Sequence, residues 1–180
     1  MVEYRDGGPD DAALMSRLGA RTFTETFGHL YPPENLAAFL VNHEPAKWRA
    51  ELADPAFSVR IAEDYGEPAG YCKVGPPSLP FEVTAPTLEL RQLYVLKPWH
   101  GRGLAHSFMD WALGQARRRG AEQMFLSVFV DNHRARRFYA RYGFEEVGRY
   151  DFMVGTHADH DLILRRSLLD RHHQERSAAP

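Results

Sequence analysis

In the stretch LYVLKPWHGRGLAHSFMDWAL, residues 93–113, two glycines flank Arg102 at the mouth of an amphipathic helix. The leading amides of a helix have no intrahelical partner, and the helix dipole adds about half a positive charge there. Gly101 and Gly103 remove the Cβ atoms that would hold a ligand off that backbone, and Arg102 adds a mobile charge. Such a loop suits an anion, above all a phosphate or diphosphate. Two familiar phosphate loops are excluded. The pattern GxxxxGK[ST] is absent, and GxGxxG fails because His106 stands where its third glycine would be. On these residues alone, a plain strand-to-helix turn remains the alternative.

Other reactive residue types reduce to simpler readings. Of the nine histidines, the densest group lies with carboxylates at His157, Asp159, His160 and Asp161, which alternate across a strand edge. With no HExxH pattern in the chain, no metal is expected. Cys72 has no Cys–His signature around it and reads as packing; a single cysteine forms no internal disulfide and suits a reducing, cytoplasmic setting. Arg134, Arg136 and Arg137 could face nucleic acid, but a formal net charge of −2 and the lack of a helix-turn-helix signature argue against that partner. No apolar run approaches the length of a membrane span, and the start lacks a signal-peptide segment.

The elements that must position these residues follow from periodicity. A short strand at 2–5 precedes a helix opened by Pro9-Asp10-Asp11 and carrying Leu14, Leu18 and Phe23 on one side. Pro32-Pro33 ends the aromatic segment 22–31; short helices follow from Glu34-Asn35 and over 45–52. FSVRIAED and AGYCKV read as a hairpin turning at 65–68. A proline-rich loop spans 75–86, a strand 88–96, and a helix 103–119. The apolar run MFLSVFV reads as a buried strand, 132–142 as a helix, and 145–154 and 160–166 as two last strands. With 180 residues, 44% of them hydrophobic, a single domain over 1–170 is expected, with a disordered polar tail at 171–180.

Four pieces in order, LELRQLYV, HGRGLA, MFLSVFV and NHRARRFYARYGF, closely resemble the core of the GNAT acetyltransferases. The family's loop places Gln or Arg, then Gly, then Gly or Ala at positions that here hold His100, Gly103 and Ala105, so His100 replaces the usual side chain. Asn132, Ala135, Phe138, Tyr139, Gly143 and Phe144 match the rest of the pattern, and the resemblance covers residues 57–166. TFTETFGHLYPPENLAAFL together with HDLIL is similar, over a shorter span, to bacterial polyamine acetyltransferases of the Pai type.

The resemblance implies an α+β (mixed α/β) fold. Its sheet would be mixed, mostly antiparallel and twisted, with about six or seven strands, four or five flanking helices, and a splay between strands 4 and 5. It implies acetyl-CoA as co-substrate, no metal, and direct attack by an amine in a ternary complex. The amides of Gly101, Arg102, Gly103, Leu104, Ala105 and His106 would hold the pyrophosphate. Leu93, Tyr94 and Val95 would meet the pantetheine arm, with the Leu93 N–H steadying the oxyanion. Asn132, Ala135, Arg136 and Phe138 would complete the cofactor site. Tyr139 falls on the general-acid position and Glu89 where some members keep a general base; alternation would set Glu89, Arg91 and Leu93 on one face. For a polycationic acceptor such as spermidine or spermine, Glu25, Tyr31, Glu34 and Glu82 are the expected contacts. A protein, peptide or antibiotic acceptor, a CoA-binding regulator without turnover, and a homodimer all remain open on the sequence.

Overall fold

The computed structural model describes residues 1–169; the expected disordered tail at 171–180 lies outside them. β1 (Val2–Asp6) is followed by three helices, α1 (Ala12–Phe27), α2 (Pro33–Leu40) and α3 (Pro45–Ala53). β2 (Ser58–Asp64), β3 (Glu67–Gly75) and β4 (Thr87–Val95) come next. Then follow α4 (Leu104–Arg118), β5 (Gln123–Phe129), α5 (His133–Arg141), β6 (Glu145–Val154) and β7 (His157–Ser167). The strands form one seven-stranded sheet in the order β1-β2-β3-β4-β5-β7-β6. Every neighbouring pair is antiparallel except β4–β5, which runs parallel, so the mixed, mostly antiparallel sheet is as expected.

Both faces of the sheet are covered. On one, Cys72, Leu90 and Met124 pack against Phe108, Met109 and Leu113, which recur along α4 at helical spacing. On the other, Met15 and Leu18 of α1 and Trp48 of α3 close over Ile61, Tyr71 and Leu96. A smaller cluster joins Phe23, Tyr31 and Val154 at the end of the sheet nearest β6. Cys72 is fully enclosed, and burial pushes its thiol up, in keeping with a packing role.

Two irregularities in β4 position everything that follows. The parallel ladder with β5 holds for three residue pairs, Thr87 with Gln123 through Glu89 with Phe125, and then the strands diverge. The expected splay is therefore present, and among the described residues the edge of β4 beyond Glu89 has no strand beside it on that side. The second irregularity is a bulge: Val74 pairs with Leu90 and Lys73 with Gln92, which leaves Arg91 as the extra residue. Alternation reverses there. Leu93 consequently packs with Leu90 on the α4 face, while Tyr94 faces the Met15 and Trp48 cluster. The expectation that Glu89 and Leu93 share a face is corrected by this one inserted residue.

Close packing of β3 on β4 depends on Gly70. A Cβ at this position would press on the Tyr94 carbonyl and stand 3.0 Å from Val95 Cα, backbone atoms that no side-chain rotation can clear. Gly70→Ala is expected to destabilise the fold by about 3 kcal/mol, read as a lower urea midpoint at an unchanged slope.

His43 lies below α1 with 3% of its surface exposed, and its Nδ1 has no partner among the described residues. Burial, with Lys73 nearby, lowers its pKa to about 4. The unfolded chain takes up a proton near pH 6.5. The folded chain refuses it until about pH 4, so stability is lost as pH falls through that window. His43→Leu removes this step. Urea titrations at pH 7.5 and 4.5 should show a smaller loss for the variant than for the wild type.

Candidate active site

The divergence of β4 from β5 opens a cleft of about 1260 Å³, bounded by α4 and α5 at one end and by α1, β6 and β7 at the other. The glycine loop forms the first end. Gly101 and Gly103 have φ of +78° and +84°, left-handed conformations that side chains resist, and a Cβ at either would meet no described residue within 4 Å. The first amide of α4 bonded back along the chain is Ser107 N–H, to the Gly103 carbonyl, so the Leu104, Ala105 and His106 amides stand ahead of the helical ladder. Gly101, Gly103, Leu104, Ala105 and His106 all line the cleft. A donor-rich cradle of this kind, with open space where side chains would otherwise project, fits a diphosphate.

Side chains around the loop differ from expectation. Arg102 turns away, 3.6 Å from Asp64, and is not in the cleft wall. His100 bridges its surroundings: Nε2 donates to the Val95 carbonyl at 2.7 Å and Nδ1 accepts from Arg134 at 2.8 Å. This network assigns the Nε2–H tautomer, because guanidinium can only donate. Arg136 donates to the Val130 carbonyl and lies outside the cleft, whereas Arg134 lines it. The cationic contact expected from Arg136 thus belongs by position to Arg134, one helical face away.

The open edge of β4 forms the middle. Leu96 N–H donates to the Ala69 carbonyl. Antiparallel alternation from that bond turns the amides of Val95 and Leu93 away from β3 and toward the cleft, where Leu93, Tyr94 and Val95 all appear in the wall. An extended ligand arm could add there as a strand adds to a sheet edge.

α5 closes this region. Asn132 caps the helix by accepting from Ala135 N–H at 3.2 Å, and Asn132, Ala135, Phe138 and Tyr139 line the cleft. Tyr139 is 8% exposed and packs edge-on against Phe138 and Phe144. Burial pushes its phenol pKa well up, with Cys72 and Tyr94 adding to the effect, so it keeps its proton at neutral pH.

Glu89 also lines the cleft, at the fork where the two strands part. Its carboxylate accepts from Ser78 N–H at 2.5 Å, from Leu79 N–H at 3.3 Å and from the Ser78 hydroxyl at 3.1 Å. Arg91 stands 3.5 Å away. The residue therefore ties the 75–86 loop to β4 as well as facing the cleft.

At the far end, Glu25 and Tyr31 are in the wall as expected. Glu25 pairs with Arg21 at 3.1 Å, and the Tyr31 hydroxyl donates to Asp159. Glu34 and Glu82 are exposed and outside the cleft: α2 presents Glu34 to solvent, and the 75–86 loop carries Glu82 outward. Both are corrected as acceptor contacts. Sequence reasoning missed Asp159 and Asp161, which β7 turns inward while His160 points outward to Asp151, 2.9 Å away. Two acids two residues apart, directly before the apolar run LIL, carried the available signal. Burial, with Asp159 beside it, lifts the Asp161 carboxyl to about 7, against the Ser127 hydroxyl.

Comparison with known proteins gives this forked sheet with its helix-mouth cradle a family. Residues 20–144 match the model of the acetyltransferase (GNAT) family, and the chain belongs to that family. It is 32% identical over 160 residues to an uncharacterized N-acetyltransferase of Mycobacterium tuberculosis, covering 88% of this chain and 99% of that one. An uncharacterized N-acetyltransferase of Lactobacillus delbrueckii subsp. lactis is 29% identical over 156 residues, covering 84% and 89%. Among solved structures, the PaiA N-acetyltransferase of Thermoplasma acidophilum in complex with coenzyme A superposes with a TM-score of 0.72. That match has 16% identity and covers 93% of this chain and 99% of that one. YncA of Salmonella typhimurium with acetyl-CoA superposes at 0.69, with 20% identity, covering 100% and 98%. These two share the fold.

Proposed function

We propose that the protein transfers an acetyl group from acetyl-CoA to a primary amine of a small acceptor, with polyamines such as spermidine and spermine the favoured class. The observation that carries this reading is one continuous cleft joining the glycine cradle, the free β4 edge and Tyr139. Family membership supports the reaction class, and the coenzyme in the PaiA and YncA structures supports the co-substrate.

When bound, acetyl-CoA supplies an activated acetyl thioester open to direct attack by the amine in a ternary complex. The amides of Gly101, Gly103, Leu104, Ala105 and His106 would hold its diphosphate, with Arg134 as the cation beside them; the Arg102 amide is taken by the Trp99 carbonyl. Leu93 and Val95 turn N–H groups toward the cleft, where the pantetheine arm would lie, and the Leu93 amide would steady an oxyanion. One such donor is worth roughly 3 kcal/mol. The attacking nitrogen must be neutral, and Glu89 is the assigned acceptor of its proton. Tyr139, kept protonated by burial, would be the proton donor to the departing sulfur.

Calorimetry with acetyl-CoA, followed by a thiol-release assay across spermidine, spermine, aminoglycosides and peptides, tests the proposal. Heat on adding acetyl-CoA and release of thiol with a polyamine are expected. No heat would overturn the co-substrate assignment, and thiol release confined to peptides or aminoglycosides would overturn the acceptor class.

A further inference from the structure

The end of the cleft farthest from the glycine loop has a charge imbalance. Asp159 and Asp161 are 5% and 8% exposed. Asp159 is occupied, receiving the Tyr31 hydroxyl and standing 3.2 Å from His157 Nε2. Asp161 forms no ion pair among the described residues; the Ser127 hydroxyl is the polar group that acts on it. A buried carboxylate without a cation is costly, and its neutral form is favoured until a counter-charge arrives. Arginine or lysine at a neighbouring strand position would have removed that cost. Instead, the neighbours across the sheet are aromatic: Asp161 pairs with Phe129 on β5 and Tyr150 on β6, and Asp159 pairs with Phe152.

The rest of the wall is of the same kind. Phe27 meets Phe129 with ring centroids 6.3 Å apart, and Phe39 meets Phe152 at 5.6 Å. Aromatic faces beside an uncompensated carboxylate accommodate an organic ammonium and its methylene chain better than a hydrated metal ion. No group of three or more metal-ligating side chains occurs among the described residues. Asp161, Tyr150 and Glu89 all line the same cleft, so the open carboxylate and the fork of the sheet face one space.

We infer that Asp161, with Asp159 behind it and Tyr150 and Phe129 beside it, forms a subsite for a second, non-reacting ammonium of the acceptor. The acceptor is therefore a diamine or longer polyamine that anchors one nitrogen on β7 and presents another near Glu89. This rests on the acetyltransferase reading for the role of the reacting nitrogen, but the subsite itself requires no turnover. Asp161 is an anchoring and specificity residue.

The test uses the full chain at pH 8, with and without CoA, titrated in a calorimeter with 1,4-diaminobutane and with 1-aminobutane. The wild type is expected to bind the diamine at least about tenfold more tightly than the monoamine, a difference near 1.4 kcal/mol. Asp161→Asn should erase that preference while CoA affinity stays the same. Equal affinities for the two amines in the wild type, no diamine binding, or a preference that survives in Asp161→Asn would each overturn the inference. The wild-type comparison needs no variant, so a misfolded substitution cannot rescue the idea. If CoA binds and the diamine preference is absent, the subsite fails and the transferase reading stands; if CoA does not bind, the transferase reading fails whatever the amines do.

Discussion

Tyr139→Phe is expected to lower kcat by roughly 10²- to 10⁴-fold while leaving CoA affinity nearly unchanged. The ring does the packing: it sits edge-on to Phe138 and Phe144 within the cluster under α4, and phenylalanine preserves those contacts. No hydrogen bond ties the hydroxyl to another described side chain, so its loss leaves no buried partner stranded. The effect should therefore fall on chemistry. Without the phenol, the sulfur would have to leave as a bare thiolate, with no proton supplied by α5. The phenol pKa is raised by burial beside Cys72 and Tyr94, so Tyr139 stays an acid throughout the working range. The wild-type kcat profile should accordingly show no alkaline fall from this group below about pH 10. A variant that keeps kcat within about threefold would remove Tyr139 from the proton inventory.

The second large effect is expected at Glu89, where two substitutions separate two jobs. The carboxylate anchors the 75–86 loop through Ser78 and Leu79 amides and also faces the cleft. Glu89→Gln retains an oxygen that can accept from those amides but cannot take a proton. It should fold with little change in melting temperature and lose roughly 10²-fold or more in kcat/KM. Glu89→Ala abandons both jobs and strands two amides, so it should also lose about 1–3 kcal/mol of stability. Near-wild-type turnover in Glu89→Gln would leave the residue a loop anchor only and send the amine's proton elsewhere.

Much of this molecule is legible in its sequence. The strand order of types, the helix after Gly103 and the cap at Asn132 follow from local patterns, because each is decided within a few residues. What escaped was decided by contacts between distant segments. The bulge at Arg91 arises from the pairing of β4 with β3, and nothing in LELRQLYV announces an extra residue. Arg134 and Arg136 differ by two positions on one short helix; which of them faces the ligand depends on how α5 docks, with Arg136 drawn to the Val130 carbonyl. Glu34 and Glu82 had the right charge and the wrong address. Asp159 and Asp161 were visible as a pair of acids, but their inward orientation is set by β7 lying between β5 and β6, a strand order that skips the chain's own sequence.

The three-rung ladder between β4 and β5 has a mechanical consequence. Most sheets are continuous fabrics, in which strain at one edge is shared by every strand. Here β1–β4 and β5–β7 are two panels sewn together at one corner. Any guest that lies along the unsewn length touches both panels at once, so its grip on one is also a fastening for the other.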